Sequence, residues 1–150
     1  MRVASRLCLF LCLFLPASGV FADASDPVSF IGIDLPTAVS ILGLPQQMFT
    51  YRGSDASRDA VVFYYASHEY LFWFNDRVWQ VRFDKRATGN VLGVTLGMTQ
   101  DQVHLAAPRS YQEVGDSLYF DIEGLAFPVK ARLVFAAGVL SDVYIYRSDF

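Results

Sequence analysis

Apolar positions along this chain fall into two similar series of short runs. In the first, Leu35, Ala38, Val39 and Leu42 recur at helical spacing. Asp34 stands where an N-cap belongs, and Pro36 lies in the first turn, where its missing N–H costs nothing. Gly43 and Pro45 end the run. Three segments rich in β-branched and aromatic residues follow, at about 60–65, 70–74 and 77–83, each bounded by turn residues. The second series opens with Thr99-Gln100-Asp101-Gln102, a capping box, with Met98 placed to staple onto Val103. Val103, Ala106 and Ala107 face inward, and Pro108 stops the helix. Strand-like segments then recur at about 117–122, 130–135 and 139–146. Asn75-Asp76 and Ala137-Gly138 occupy matching hairpin positions. The pattern therefore predicts an α+β domain of two helix-plus-three-stranded antiparallel sheet repeats, 28–86 and 91–150, joined through Thr88-Gly89-Asn90.

The start of the chain reads differently. Arg2 and Arg6 precede an uninterrupted apolar run over 7–15, Pro16 breaks it, and Val20-Phe21-Ala22 fits a cleavage site. Residues 1–22 are expected to be a secretory signal peptide and 23–150 a single domain, periplasmic or secreted. The apolar run is too short for a span, which needs about 20 residues, so no stable membrane span is expected after cleavage. Cleavage removes Cys8 and Cys12, and with them any disulfide or thiolate chemistry. It also removes two of 12 basic residues and none of 15 acidic ones, so the formal charge of −3 becomes more negative. That balance disfavours nucleic acid and anionic lipid as partners.

Strand alternation assigns the sheet faces. Phe72, Phe74, Leu133, Phe135, Trp79, Val81, Phe83, Val143 and Ile145 are expected to face the helices. The opposite face should present Tyr64, Trp73, Arg82, Tyr119, Arg132, Tyr144 and Tyr146, with Gln80, Asp121 and Asp142 among them. A merely solvated face would carry more Lys, Glu, Thr and Ser. Tyr, Trp and Arg are the residues that anchor protein interfaces. These seven are the candidate partner-binding residues, the expected partner being an envelope or extracellular protein. Self-association through the same face is the competing use.

Gly97-Met98-Thr99-Gln100-Asp101-Gln102-Val103, followed by Pro108 and aromatic strands, resembles the repeat of small envelope proteins in the BamE (SmpA/OmlA) superfamily. The tandem arrangement resembles the β-lactamase inhibitor protein. The resemblance implies a helix-on-sheet repeat and a non-catalytic, protein-binding, extracytoplasmic role. The first copy departs from it, with Ile33-Asp34-Leu35-Pro36 where Gly-Met-Thr would stand. BamE's lipid-attachment cysteine is absent.

Candidate chemistry is sparse. Gly115-Asp116-Ser117-Leu118 spells the serine block of the GDSL esterases, and Asp101 to His104 spells their Asp-x-x-His. The order is reversed, and that family presents its serine from a parallel sheet. A turn before a strand explains Gly115-Asp116. His68-Glu69 falls in a hairpin turn with no third group at metal-ligand spacing. No phosphate loop or dinucleotide glycine motif occurs. The expectation is no catalytic residue, no metal ligand and no cofactor. A lipid or small apolar ligand carrier is the alternative, with Met48-Phe49 and Phe127-Pro128 lining a slot.

Overall fold

A computed structural model describes residues 26–56, 59–108 and 110–149. The expected signal peptide lies outside the described residues. Asp34 accepts a 3.0 Å hydrogen bond from the Thr37 N–H and starts helix α1 (Leu35–Leu42). Gly43, at φ 75°, ends it and donates to the Val39 carbonyl at 2.9 Å. Helix α2 (Gln100–Ala106) begins with the capping box: the Thr99 N–H donates to Gln102 Oε1 at 2.9 Å, and Thr99 Oγ1 accepts from the Gln102 N–H at 3.4 Å. Each cap residue also bridges the first residue of a distant strand, Asp34 to Arg77 and Thr99 to Val139.

The strands are β1 (Gln47–Tyr51), β2 (Ala60–Tyr64), β3 (Glu69–Phe74), β4 (Arg77–Asp84), β5 (Gln112–Val114), β6 (Ser117–Ile122), β7 (Val129–Ala136) and β8 (Val139–Arg147). They form one eight-stranded antiparallel sheet in the order β1-β2-β3-β4-β8-β7-β6-β5. This corrects the expected fold of two helix-plus-three-stranded repeats. The described residues are mostly sheet, with two short α-helices, and the sheet does not break between its halves. Two separate sheets would leave β4 and β8 with bare rows of N–H and C=O groups. Pairing from Gln80↔Tyr146 to Asp84↔Asp142 satisfies both rows at once. β1 and β5 are the strands that the sequence reading missed. Both are outer strands exposed along their length, so burial imposes no alternation on them.

Both helices, the 3-10 turn Pro27–Phe30 and the connection through Val91 and Val94 lie on one face of the sheet. Phe30, Ala38 and Val103 pack there against Leu71, Val81, Leu133, Val143 and Ile145, all of them buried. Among the described residues the other face carries no helix. It has a small apolar cluster of its own, Ala60, Val62 and Phe72, with Tyr70 and Trp79 packed against it.

The inner hairpins share a construction. Asn75 and Asp76, and Ala137 and Gly138, all have positive φ, as a tight two-residue turn requires. Just beyond each turn the register slips by one residue, with Trp79 the extra residue in β4 and Ser141 the extra residue in β8. The Ser141 hydroxyl donates to the Val134 carbonyl at 3.1 Å and to Asp142 Oδ2 at 2.8 Å. In β4 the bulge turns Trp79 toward the Phe72 ring at 6.2 Å, on the helix-free face rather than the expected one.

Candidate functional site

The helix-free face is organised by one row of side chains. Register places Tyr64 opposite Tyr70, Tyr70 opposite Arg82, Arg82 opposite Tyr144, Tyr144 opposite Arg132 and Arg132 opposite Tyr119. Gln47 of β1 and Gln112 of β5 close its two ends. The row thus crosses all eight strands, and its six inner members span roughly 24 Å at the usual strand spacing.

Its members touch through π faces and guanidinium planes. The Tyr64 and Tyr70 rings are 4.8 Å apart. Arg82 lies 5.0 Å from the Tyr70 ring centre and 5.6 Å from that of Tyr144. Arg132 lies 5.8 Å from Tyr144 and 5.6 Å from Tyr119. Cations over tyrosine rings at these distances are attracted by the ring quadrupole. Arg82 donates from Nε and Nη2 to Asp142 Oδ1 at 2.9 and 2.6 Å. Burial opposes its charge, but Asp142 outweighs burial and raises its pKa. Burial also raises the Tyr144 and Tyr146 hydroxyls, keeping them neutral at physiological pH.

A second network closes the β3–β4 side. Asp84 is buried, yet its pKa lies well below the usual carboxylate range. Burial pushes it up, and hydrogen bonds from the Arg86 side chain and backbone and from the Tyr70 hydroxyl outweigh burial. The Tyr70 bond is 2.8 Å. Arg86 also stands 5.6 Å above the Tyr64 ring, and the Tyr64 hydroxyl meets His68 Nδ1 at 2.7 Å. At the β5 side, a cleft of about 270 Å3 opens beside the row, lined by Ser110, Tyr111, Gln112, Tyr119, Phe120, Asp121 and Lys130. Lys130 pairs with Asp121 at 2.8 Å within it.

Of the seven residues expected on this face, the structure brings together Tyr64, Arg82, Tyr119, Arg132, Tyr144 and Tyr146, the last lying between Gln80 and Lys130. Trp73 is a correction. It is 8% exposed in the helix-side core, against the Phe63 ring at 5.2 Å. Phe72, expected in that core, lies on the helix-free face. The run Tyr70-Leu71-Phe72-Trp73-Phe74 is apolar throughout, so alternation carries no sign there. Tyr70 was missed for the same reason. Its pairing with Tyr64 and Arg82, both already assigned outward, was the available signal.

Ser117 and His104 do not meet as a catalytic pair. Ser117 Oγ accepts from Arg132 Nε at 3.2 Å on the helix-free side. His104 stands on α2, with Nδ1 3.3 Å from the Tyr111 hydroxyl and Nε2 3.3 Å from Glu113. Among the described residues no group of three or more His, Cys, Asp or Glu side chains could hold a metal ion. Met48 and Phe49 lie exposed on the outer strand β1. Phe127 lies under Arg147, whose guanidinium is 4.5 Å from its ring centre.

No family model and no curated protein matches the sequence. The fold is similar to that of an extracellular protein containing a SCP domain from Bacillus anthracis, at TM-score 0.56 and 16% identity, over 89% of this chain and 49% of that one. It is also similar to a cysteine-rich secretory protein from Staphylococcus aureus, at TM-score 0.50 and 15% identity, over 81% of this chain and 46% of that one. The chain spans about half the length of these structures, and at these identities the likeness is one of fold. With the continuous sheet, it overturns the resemblance to the BamE and β-lactamase inhibitor protein superfamily. The motif that suggested it, Gly97 to Val103, encodes a tight turn and a capped helix, features local enough to arise in many folds.

Proposed function

We propose that this chain is an exported protein-interaction module that binds a protein partner of the cell envelope or extracellular space, without catalysis, through the aromatic–arginine face. The observation that carries this reading is the Tyr64-to-Tyr119 row, set across the whole sheet and left without a helical cover among the described residues. Rigid aromatic rings interleaved with arginines supply large contact area at little rotamer cost. The two similar structures are described as extracellular and secretory, which supports export. Among the described residues no helix is long and apolar enough to cross a membrane.

The test is a cross-linking capture from envelope and culture-fluid extracts with residues 23–150, beside a Tyr119→Ala/Tyr144→Ala variant and a Met48→Ser variant on β1. Near-ultraviolet circular dichroism checks that both are folded. A protein retained by the wild type and by Met48→Ser, and lost by the tyrosine variant, supports the face. Equal capture by all three rejects it.

A further inference from the structure

The cations of the helix-free face differ in one respect. Arg82 is paired with Asp142, Arg86 with Asp84 and Lys130 with Asp121. Arg132 has no carboxylate within ion-pair reach among the described residues. Its Nε is held by Ser117 Oγ at 3.2 Å, and its plane is held between the rings of Tyr119 and Tyr144. The side chain is half-buried and its guanidinium is fixed at Nε, while its Nη groups make no hydrogen bond among the described residues.

We infer that Arg132 is the point at which this face takes a single carboxylate, an Asp or Glu side chain of the protein partner, flanked by apolar side chains. The inference rests on the face being the binding surface. A planar guanidinium fixed at Nε presents its remaining N–H groups as a fork that matches a carboxylate. Ordering before binding removes part of the entropic cost of that contact. The rings of Tyr119 and Tyr144 exclude water from it, as the surroundings of an interface hot spot do. Charge selects the kind of anion. Asp84, Asp121 and Asp142 share the face, and the whole chain carries a formal −3. Each of those three carboxylates neutralises one cation of the face, so Arg132 is left as a single positive charge that one isolated negative group balances. The cleft beyond Tyr119, about 270 Å3 with Gln112 and Lys130 in its wall, is large enough for a side chain next to the acid.

The test is selection of a random heptapeptide phage library on residues 23–150, keeping phage displaced by soluble wild-type protein and not by Tyr144→Ala. The expected pool is enriched several-fold in Asp and Glu over the starting library. A synthetic peptide from it should lose tenfold or more in affinity when its acid becomes the amide. It should lose as much against Arg132→Gln and less against Arg132→Lys, with folding of both variants checked. A face-dependent pool without acidic enrichment overturns the carboxylate and leaves the face standing. So does equal affinity for acid and amide peptides. Failure to recover any face-dependent peptide overturns both.

Discussion

Arg82 and Tyr144 face each other across the β4–β8 seam, with the guanidinium carbon 5.6 Å from the ring centre. The contact ties the two halves of the sheet together with side chains as well as backbone. Asp142, on the next row, holds the same guanidinium. Removing Arg82 leaves a carboxylate that is only 18% exposed without its cation. Arg82→Ala is expected to destabilise the domain by about 1–3 kcal/mol in urea denaturation. Arg82→Ala/Asp142→Ala should cost less than the sum of the single changes, which a double-mutant cycle would read.

Trp73 and Tyr144 separate core from face. Trp73→Ala is expected to cost about 3–5 kcal/mol, because it empties a large buried site beside Phe63. Tyr144→Ala removes a half-buried ring and should cost about 1 kcal/mol. Thermal and urea unfolding of the two variants would show the difference, and comparable losses would contradict the assigned faces.

Two carboxylates should give opposite pH signatures. Asp84 has a lowered pKa in the folded protein, so its contribution is present above the unfolded carboxylate pKa and is lost as pH falls through the folded value. Asp84→Asn should therefore destabilise at pH 7 and converge with wild type in strong acid. Glu69 is raised by burial, partly opposed by a hydrogen bond from Ser67, and its Oε2 is buried without a hydrogen-bond partner among the described residues. Folding then favours its protonated form, and stability falls as pH rises through the window between its unfolded and folded values. Glu69→Gln should stabilise at pH 7, with the gain vanishing below the unfolded pKa. Denaturant midpoints measured from pH 2 to pH 8 would resolve both signs, the Asp84→Asn difference narrowing as pH falls below the unfolded carboxylate value.

Ala137 holds a φ of 52°, a conformation that L residues other than Asn and Asp rarely adopt. Ala137→Asn would convert the β7–β8 turn to Asn-Gly, the sequence best suited to it. The variant is expected to gain about 1 kcal/mol, read as a raised melting temperature.

The sequence exposed what local chemistry decides. The Asp34 cap, the Thr99–Gln102 box, both inner hairpin turns and six strand positions could all be read from residue types a few places apart. Alternation also placed six of the seven proposed face residues, four of them on β6, β7 and β8, where charged or tyrosine positions alternate with apolar ones. It failed where that contrast disappears. β3 is apolar on both faces, since each face has its own apolar cluster, and there Trp73 was misassigned. Trp79 was misassigned because a bulge adds one residue to β4, and no local residue type marks it. The union of the halves rests on backbone pairing between segments some 60 positions apart, as the Arg82–Asp142 bond shows. Such pairing leaves no periodic trace. The open row of Arg132 is likewise a property of register, visible only once six strands stand side by side.

The sheet also has an order in time. β8 pairs with β4 and β7 in the middle of the sheet, yet it is the last of the eight strands to be synthesised. Until it arrives, β4 waits with one bare edge while residues 85–138 are made, on the order of several seconds at ordinary elongation rates. Closure of the seam is then a single late event that completes the core and the face together. A chain interrupted before Val139 would carry two further open sheet edges, β4 and β7, into a crowded solution, the arrangement most prone to pair with a neighbour.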